Sequence, residues 1–283
     1  MMPAAAPAAG SAAANPDLRK GDLLYVSNNA AASVFVYSYP KGKLIDRLTG
    51  FTSPTGECVD AKGDVWIVDG GASQISEYEH GGKTPVVTLQ DAGQTPNGCA
   101  VDPKSGNLAV TNYDSTSFGP GSVSVYAKAE GDPTVYSDSN IHFMLCAGYD
   151  NKGNLFVDGG NPSGQFRYAE LQRGKTTFKD ITLDAPINSG GSVQWDGKNM
   201  TVADEGGDLA PATIYQTKGS KVIGSTVLQG TGVVFQSYID GNTVVAPDYV
   251  NKSVKIFAYP EGGAQTDAIG HASQPFAAVV SRI

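Results

Sequence analysis

Ser53-Pro54-Thr55-Gly56-Glu57-Cys58-Val59-Asp60-Ala61-Lys62-Gly63-Asp64-Val65-Trp66-Ile67-Val68-Asp69-Gly70-Gly71 reads as a strand, a tight Asp-x-x-Gly turn, a second strand and an exit on Asp-Gly-Gly. A second copy follows as Thr95-Pro96-Asn97-Gly98-Cys99-Ala100-Val101-Asp102 and then Gly106-Asn107-Leu108-Ala109-Val110-Thr111-Asn112. The turns place Asx or Gly where a hairpin needs positive φ. Self-similarity at this period marks a radial or stacked β array.

The second strand of each copy ends on a polar marker: Asn28, Asp69, Asn112, Asp158, Asp204 and Asp248, 41 to 46 residues apart. Each copy holds four strand-like runs, as in Gly56–Asp60, Val65–Val68, Gln74–Tyr78 and Pro85–Leu89. Four short strands per unit, repeated radially, predict an all-β, six-bladed β-propeller with four-stranded blades over residues 21–283. The chain begins with a second-type strand at Leu23 and finishes with Gln274–Val280, which has the first-strand pattern. The C-terminal strand is therefore expected to complete the N-terminal blade and remove a free sheet edge.

Residues 1–20 are mostly Ala, Pro, Gly and Ser, and are read as a flexible tail. The formal net charge is −8 with no basic stripe, which disfavours nucleic acid and anionic membranes. No run of 18 apolar residues is present, so no membrane span is expected. Low charge content and a Gly/Ser/Thr/Asn-rich surface lead to the expectation of a secreted or periplasmic monomer.

The pattern Gly-x-x-Val-Asp-x-x-Gly-Asp/Asn-Leu/Val-x-Val-x-Asp resembles the NHL-type repeat. It is similar also to the six-bladed superfamily of SMP-30/gluconolactonase and strictosidine-synthase-like proteins. In the gluconolactonase family the position five residues before the first-strand Asp supplies metal-binding Glu, Asn and Asp. Here that column reads Thr55, Asn97, Leu145, Gly191 and Phe235, with Phe276 in the closing strand. Only Asn97 matches, although Glu57 lies two residues beyond Thr55. Calcium takes six to eight oxygens, so the column is depleted as a metal site.

Non-repeated polar residues near the channel face are the better ligand-binding candidates: Glu57, Asn97, His142, Glu205, Asp208 and His271. Tyr113 and Phe118 join them from the long insertion 113–122, which is placed to overhang the channel. The repeated Asp and Asn at the strand-two exits are expected to cap their own turns or to bond backbone of the next blade. His142 and His271 precede first strands on opposite blades, and His142 is the candidate proton carrier. His80 falls in an outer hairpin turn and is expected to be solvated. Cys58, Cys99 and Cys146 lie on three consecutive first strands, where buried filler, a disulfide and a thiolate metal site are the alternatives.

The leading expectation is a non-catalytic module that binds a small polar ligand, a carbohydrate or a protein partner, with no cofactor. The alternative is a metal-dependent lactone or ester hydrolase, with Glu57 and Asn97 on a divalent cation such as calcium and His142 moving protons.

Overall fold

The computed structural model describes residues 20–207, 209–271 and 273–283. The expected tail thus lies, except for Lys20, outside the described residues. The chain forms six four-stranded antiparallel sheets; five run sequentially from an inner to an outer strand, and the first takes its inner strand from the end of the chain. The inner strands of blades 2 to 6 are Pro54–Val59, Gln94–Val101, Phe143–Tyr149, Gly190–Trp195 and Tyr238–Asp240.

Blade 1 is closed as the pattern predicts. Its inner strand is Pro275–Ser281, antiparallel to Leu23–Asn28, with Leu23 opposite Ser281 and Tyr25 opposite Val279. His80 departs from expectation. Its ring is buried, with Nδ1 2.6 Å from Ser281 Oγ and Nε2 3.1 Å from the Gly21 carbonyl. Three chain segments meet there because a neutral imidazole can donate on one nitrogen and accept on the other. The blade 2 turn thereby fastens both ends of the chain.

Second strands read as continuous apolar runs because both of their faces are covered by neighbouring blades. Leu23–Asn28 and Val65–Asp69 are buried at every position, whereas the outer strand Leu44–Thr49 is largely exposed. The core is therefore distributed between blades. Leu23, Tyr25, Val34 and Val36 of blade 1 pack on Val65, Ile67 and Tyr78 of blade 2. Trp66, Val68 and Ile75 of blade 2 pack in turn on Leu108, Val110 and Tyr126 of blade 3.

The inner strands are irregular where they pass the channel mouth. Pairing register shifts between Pro54 and Glu57, between Pro96 and Gly98, between Met144 and Ala147, and between Gly190 and Val193. Blade 1 shifts likewise, Ser27 facing Ala277 but Asn28 facing Pro275. Thr55, Asn97, Leu145, Gly191 and Phe276 all fall within these bulges. A bulge breaks the ladder and re-aims a side chain, and Asn97, Leu145 and Phe276 from these bulges stand in the channel wall. Gly56 belongs to the same device: a Cβ there would sit 2.5 Å from the Asn97 carbonyl oxygen. Glycine lets the inner strands of blades 2 and 3 approach that closely.

Candidate functional site

The channel mouth holds a cavity of about 360 Å³, with Asn97, Tyr113, Phe143, Phe166, Glu205, Phe235 and Phe276 in its wall. Four of its five aromatic residues come as two stacked pairs from different parts of the ring. Tyr113 of blade 3 lies on Phe143 of blade 4 with ring centroids 4.8 Å apart, and Phe235 lies on Phe276 at 4.6 Å. Tyr249 meets Phe235 edge-on at 5.2 Å and props the second pair. Offset stacking of this kind holds each ring in place and presents rigid apolar faces to the cavity.

Polar groups are few. Asn97 donates from Nδ2 to the Leu145 carbonyl at 2.9 Å, which ties blade 3 to blade 4. Glu205 follows the blade 5 strand Met200–Asp204, its main chain held by Ser189 O at 3.1 Å. Burial raises its carboxyl above the ordinary range, the nearby Asp204 adds to this, and the Ser189 hydroxyl opposes it. Beneath the floor Asp158 is fully buried. It accepts from the Cys146 main-chain N–H at 2.9 Å, while its second oxygen has no partner among the described residues. Burial drives its carboxyl well above the ordinary value. Cys146 is a free, buried thiol whose pKa burial also raises, so it is unreactive.

The structure redistributes the candidates. Asn97, Glu205 and Tyr113 share the mouth cavity. Phe118 stands at the tip of its hairpin, 89% exposed and outside the wall. His142 is not a wall residue; its N–H donates to Gly160 O at 2.8 Å and its ring meets Phe143 edge-on at 4.5 Å. That contact makes the His142 ring a support for Phe143. His271 ends the outermost strand of blade 6, paired with Ser253. Its side chain, and Asp208 entirely, lie outside the described residues.

Glu57 is the main correction. Its side chain is fully buried with no surface open to solvent, while its main chain bonds Gln236 in the wall of a second cavity further down the channel. It does not join Asn97 around a common point. The mouth column offers Asn97, whose amide is engaged, beside Leu145, Phe235 and Phe276. Among the described residues this falls well short of a calcium ligand set. These residues do not fit a metal centre of the gluconolactonase kind.

Of the repeated exit residues, Asn28 and Asp248 cap their own turns, whereas Asp69 and Asp204 hold the segment that enters their own blade's inner strand. Asp69 accepts from Thr52 N and Ser53 N at 2.8 and 2.7 Å. Asp204 accepts from Asn188 N at 2.8 Å, and Asp248 from Asn251 N at 3.1 Å and Lys255 Nζ at 2.8 Å. Asp158 and Asn112 cap no turn: Asp158 accepts from Cys146 N of the inner strand, and Asn112 donates to Ser122 and Ser124 of the third strand. The cysteines also resolve: Cys58 and Cys99 form a disulfide between blades 2 and 3, with Cα atoms 5.6 Å apart.

Sequence reasoning missed the aromatic wall. Phe235 and Phe276 stood in the aligned column but counted only as absent metal ligands; their shared aromatic character was the available signal. Phe143 and Phe166 carried no repeat signal, and only the ring's curvature brings them to the mouth.

Burial of Glu57 has a thermodynamic consequence. Its carboxyl is raised well above the ordinary value of 4.5, because burial disfavours the charged form. Below that value both folded and unfolded chains carry the proton. As pH rises, the unfolded chain ionises first, and stability falls by about 1.4 kcal/mol per unit until the folded value is passed. Glu57→Gln is expected to remove this slope. Unfolding free energies from urea should agree near pH 4 and increasingly favour the variant as pH rises above 4.5. Parallel pH profiles for the two proteins would contradict the assignment.

No family model matches this chain, and no curated protein matches it. Among solved structures it is similar to a chain described as a nidogen/laminin complex, with TM-score 0.75 and 14% identity, covering 92% of this chain and 98% of the other. At that identity the likeness speaks for the fold alone. Six four-stranded antiparallel sheets in a ring, sealed by the last strand, make this chain a six-bladed β-propeller.

Proposed function

We propose that the chain is a non-catalytic binding module whose channel mouth holds a carbohydrate. The observation that carries this reading is the pairing of two rigid aromatic platforms with one half-buried carboxylate in a single cavity. Sugar rings present apolar C–H faces and a rim of hydroxyls. The former match Tyr113–Phe143 and Phe235–Phe276, and the latter match Glu205 and the free side of the Asn97 amide. No arrangement of nucleophile, base and oxyanion donors is assembled at the mouth among the described residues. The similar nidogen/laminin chain comes from a protein complex, which is in keeping with a binding role. The Cys58–Cys99 disulfide supports an extracytoplasmic setting, since such bonds persist in oxidising compartments.

The test is a saccharide panel followed by saturation-transfer NMR and calorimetry. Phe235→Ala and Glu205→Gln should each weaken the best ligand about tenfold, from the loss of roughly 1–1.5 kcal/mol of stacking or charge-assisted hydrogen bonding. Chelator should have no effect. Chelator-sensitive lactone or ester hydrolysis, or binding that ignores both substitutions, would overturn this reading.

A further inference from the structure

The channel holds a second cavity of about 530 Å³, which shares only Cys146 and Gln236 with the mouth. Its wall comes from the far halves of the inner strands and the turns that follow them: residues 147–151 of blade 4, 192–195 of blade 5 and 236–238 of blade 6. Tyr149, Trp195 and Tyr238 thus enter it from three consecutive blades. Burial raises both tyrosine hydroxyls, that of Tyr238 to about 12, so both phenols are uncharged.

The charged residues of this wall offer nothing to its interior. Asp150 is spent on its own turn, accepting from Lys152 N, Asn154 N and Asn154 Nδ2. Lys104 is exposed to solvent at the rim. Glu57 takes part through its main chain, and its carboxyl oxygens are closed off. The neutral side chains are matched among themselves, Ser192 and Ser237 bonding each other at 2.7 Å.

The main chain is different. Within its blade each inner strand has a neighbour on one side only, and its other edge faces the channel. Two glutamines show what such an edge accepts. Gln236 donates from Nε2 to the Glu57 carbonyl and accepts the Glu57 N–H at 3.1 Å. Gln194 does the same to Ile239, with both bonds at 2.8 Å. In each case a neutral amide from one blade is held by the strand edge of another.

We infer that this lower cavity is a second ligand site, and that it takes a small uncharged molecule with a flat ring body and a carbonyl or amide group. The ring matches Tyr149, Trp195 and Tyr238, since aromatic faces stack. The carbonyl or amide matches the strand edges, as the two glutamines do. An ion of the same shape would lose its water and meet no free counter-charge inside, which is costly. The volume is within the range of small-molecule sites. The site is independent of the carbohydrate reading of the mouth, where Glu205 supplies a carboxyl to the wall.

The test uses the full chain and Prodan, a neutral naphthalene ketone whose emission shifts to the blue in apolar surroundings. Prodan should saturate one site per chain with Kd on the order of 10 µM. Acetylnaphthalene, naphthoate and (aminomethyl)naphthalene share a ring and differ in charge. The ketone should displace Prodan at least about tenfold better than either ion. Trp195→Ala should weaken Prodan about tenfold, whereas Trp195→Phe, which keeps a flat ring, should stay within about threefold of the parent. Phe235→Ala and Glu205→Gln, both at the mouth, should leave the titration unchanged, so failure of this site and failure of the carbohydrate reading are told apart. The competition series needs no variant and decides the charge preference even if Trp195→Ala folds poorly. No saturable Prodan binding, naphthoate or the amine competing as well as the ketone, or sensitivity to Phe235→Ala in place of Trp195→Ala would each overturn the site.

Discussion

Deleting residues 274–283 is expected to abolish cooperative folding. The strand removed is the inner strand of blade 1, and its residues Ala277, Ala278, Val279, Val280 and Ser281 are all at most 2% exposed. Two valines and two alanines at that burial contribute roughly 5 kcal/mol of apolar transfer. The loss also strips partners from Leu23–Asn28, a strand with no exposed residue to solvate. An unmatched ladder edge inside a ring adds several unsatisfied N–H and C=O groups, each costing about 1–3 kcal/mol. His80 loses Ser281 as well. Against a total stability of about 5–15 kcal/mol, the deletion exceeds or exhausts what is available. Urea unfolding followed by tryptophan fluorescence should lose its sigmoid, and a synthetic 274–283 peptide added in trans should restore it. A truncated chain with the parental midpoint would show that the seam does not hold the ring.

Replacing Cys58 and Cys99 together by alanine is expected to be the second largest loss. The bond closes a segment with a sequence separation of 41, for which chain entropy gives about 4 kcal/mol. It also joins inner strands of adjacent blades at the point where glycines bring them closest. A loss of that size lowers Tm by roughly 10 °C in a domain of this length. Reductant should bring the parent protein to the same Tm and leave the variant unmoved. Cys146 cannot substitute, being buried with its thiol held in the protonated form. A variant within about 1 kcal/mol of the parent would show that blade packing alone sets the stability.

The two expectations differ in how they could be foreseen. The seam was legible because Gln274–Val280 repeats a first-strand pattern that the N-terminus lacks. The disulfide was only one of three alternatives, since three cysteines on three consecutive strands do not reveal which Cα atoms approach. Glu57 shows a similar limit. Spacing put it two residues from a mouth position, but the register shifts between Pro54 and Glu57, and the Glu57 side chain is wholly buried away from the mouth. His80 looked like a solvated turn residue because its partners, Gly21 and Ser281, lie at the far ends of the chain.

What the amino-acid order determined on its own is the period: apolar runs, Asx-Gly turns and their spacing repeat locally, and local repetition suffices to specify blades, their number and their closure. What only the folded ring decided is which side chains meet in the channel. Those neighbours come from different blades, and their approach depends on bulges and inter-blade distances that no single repeat encodes.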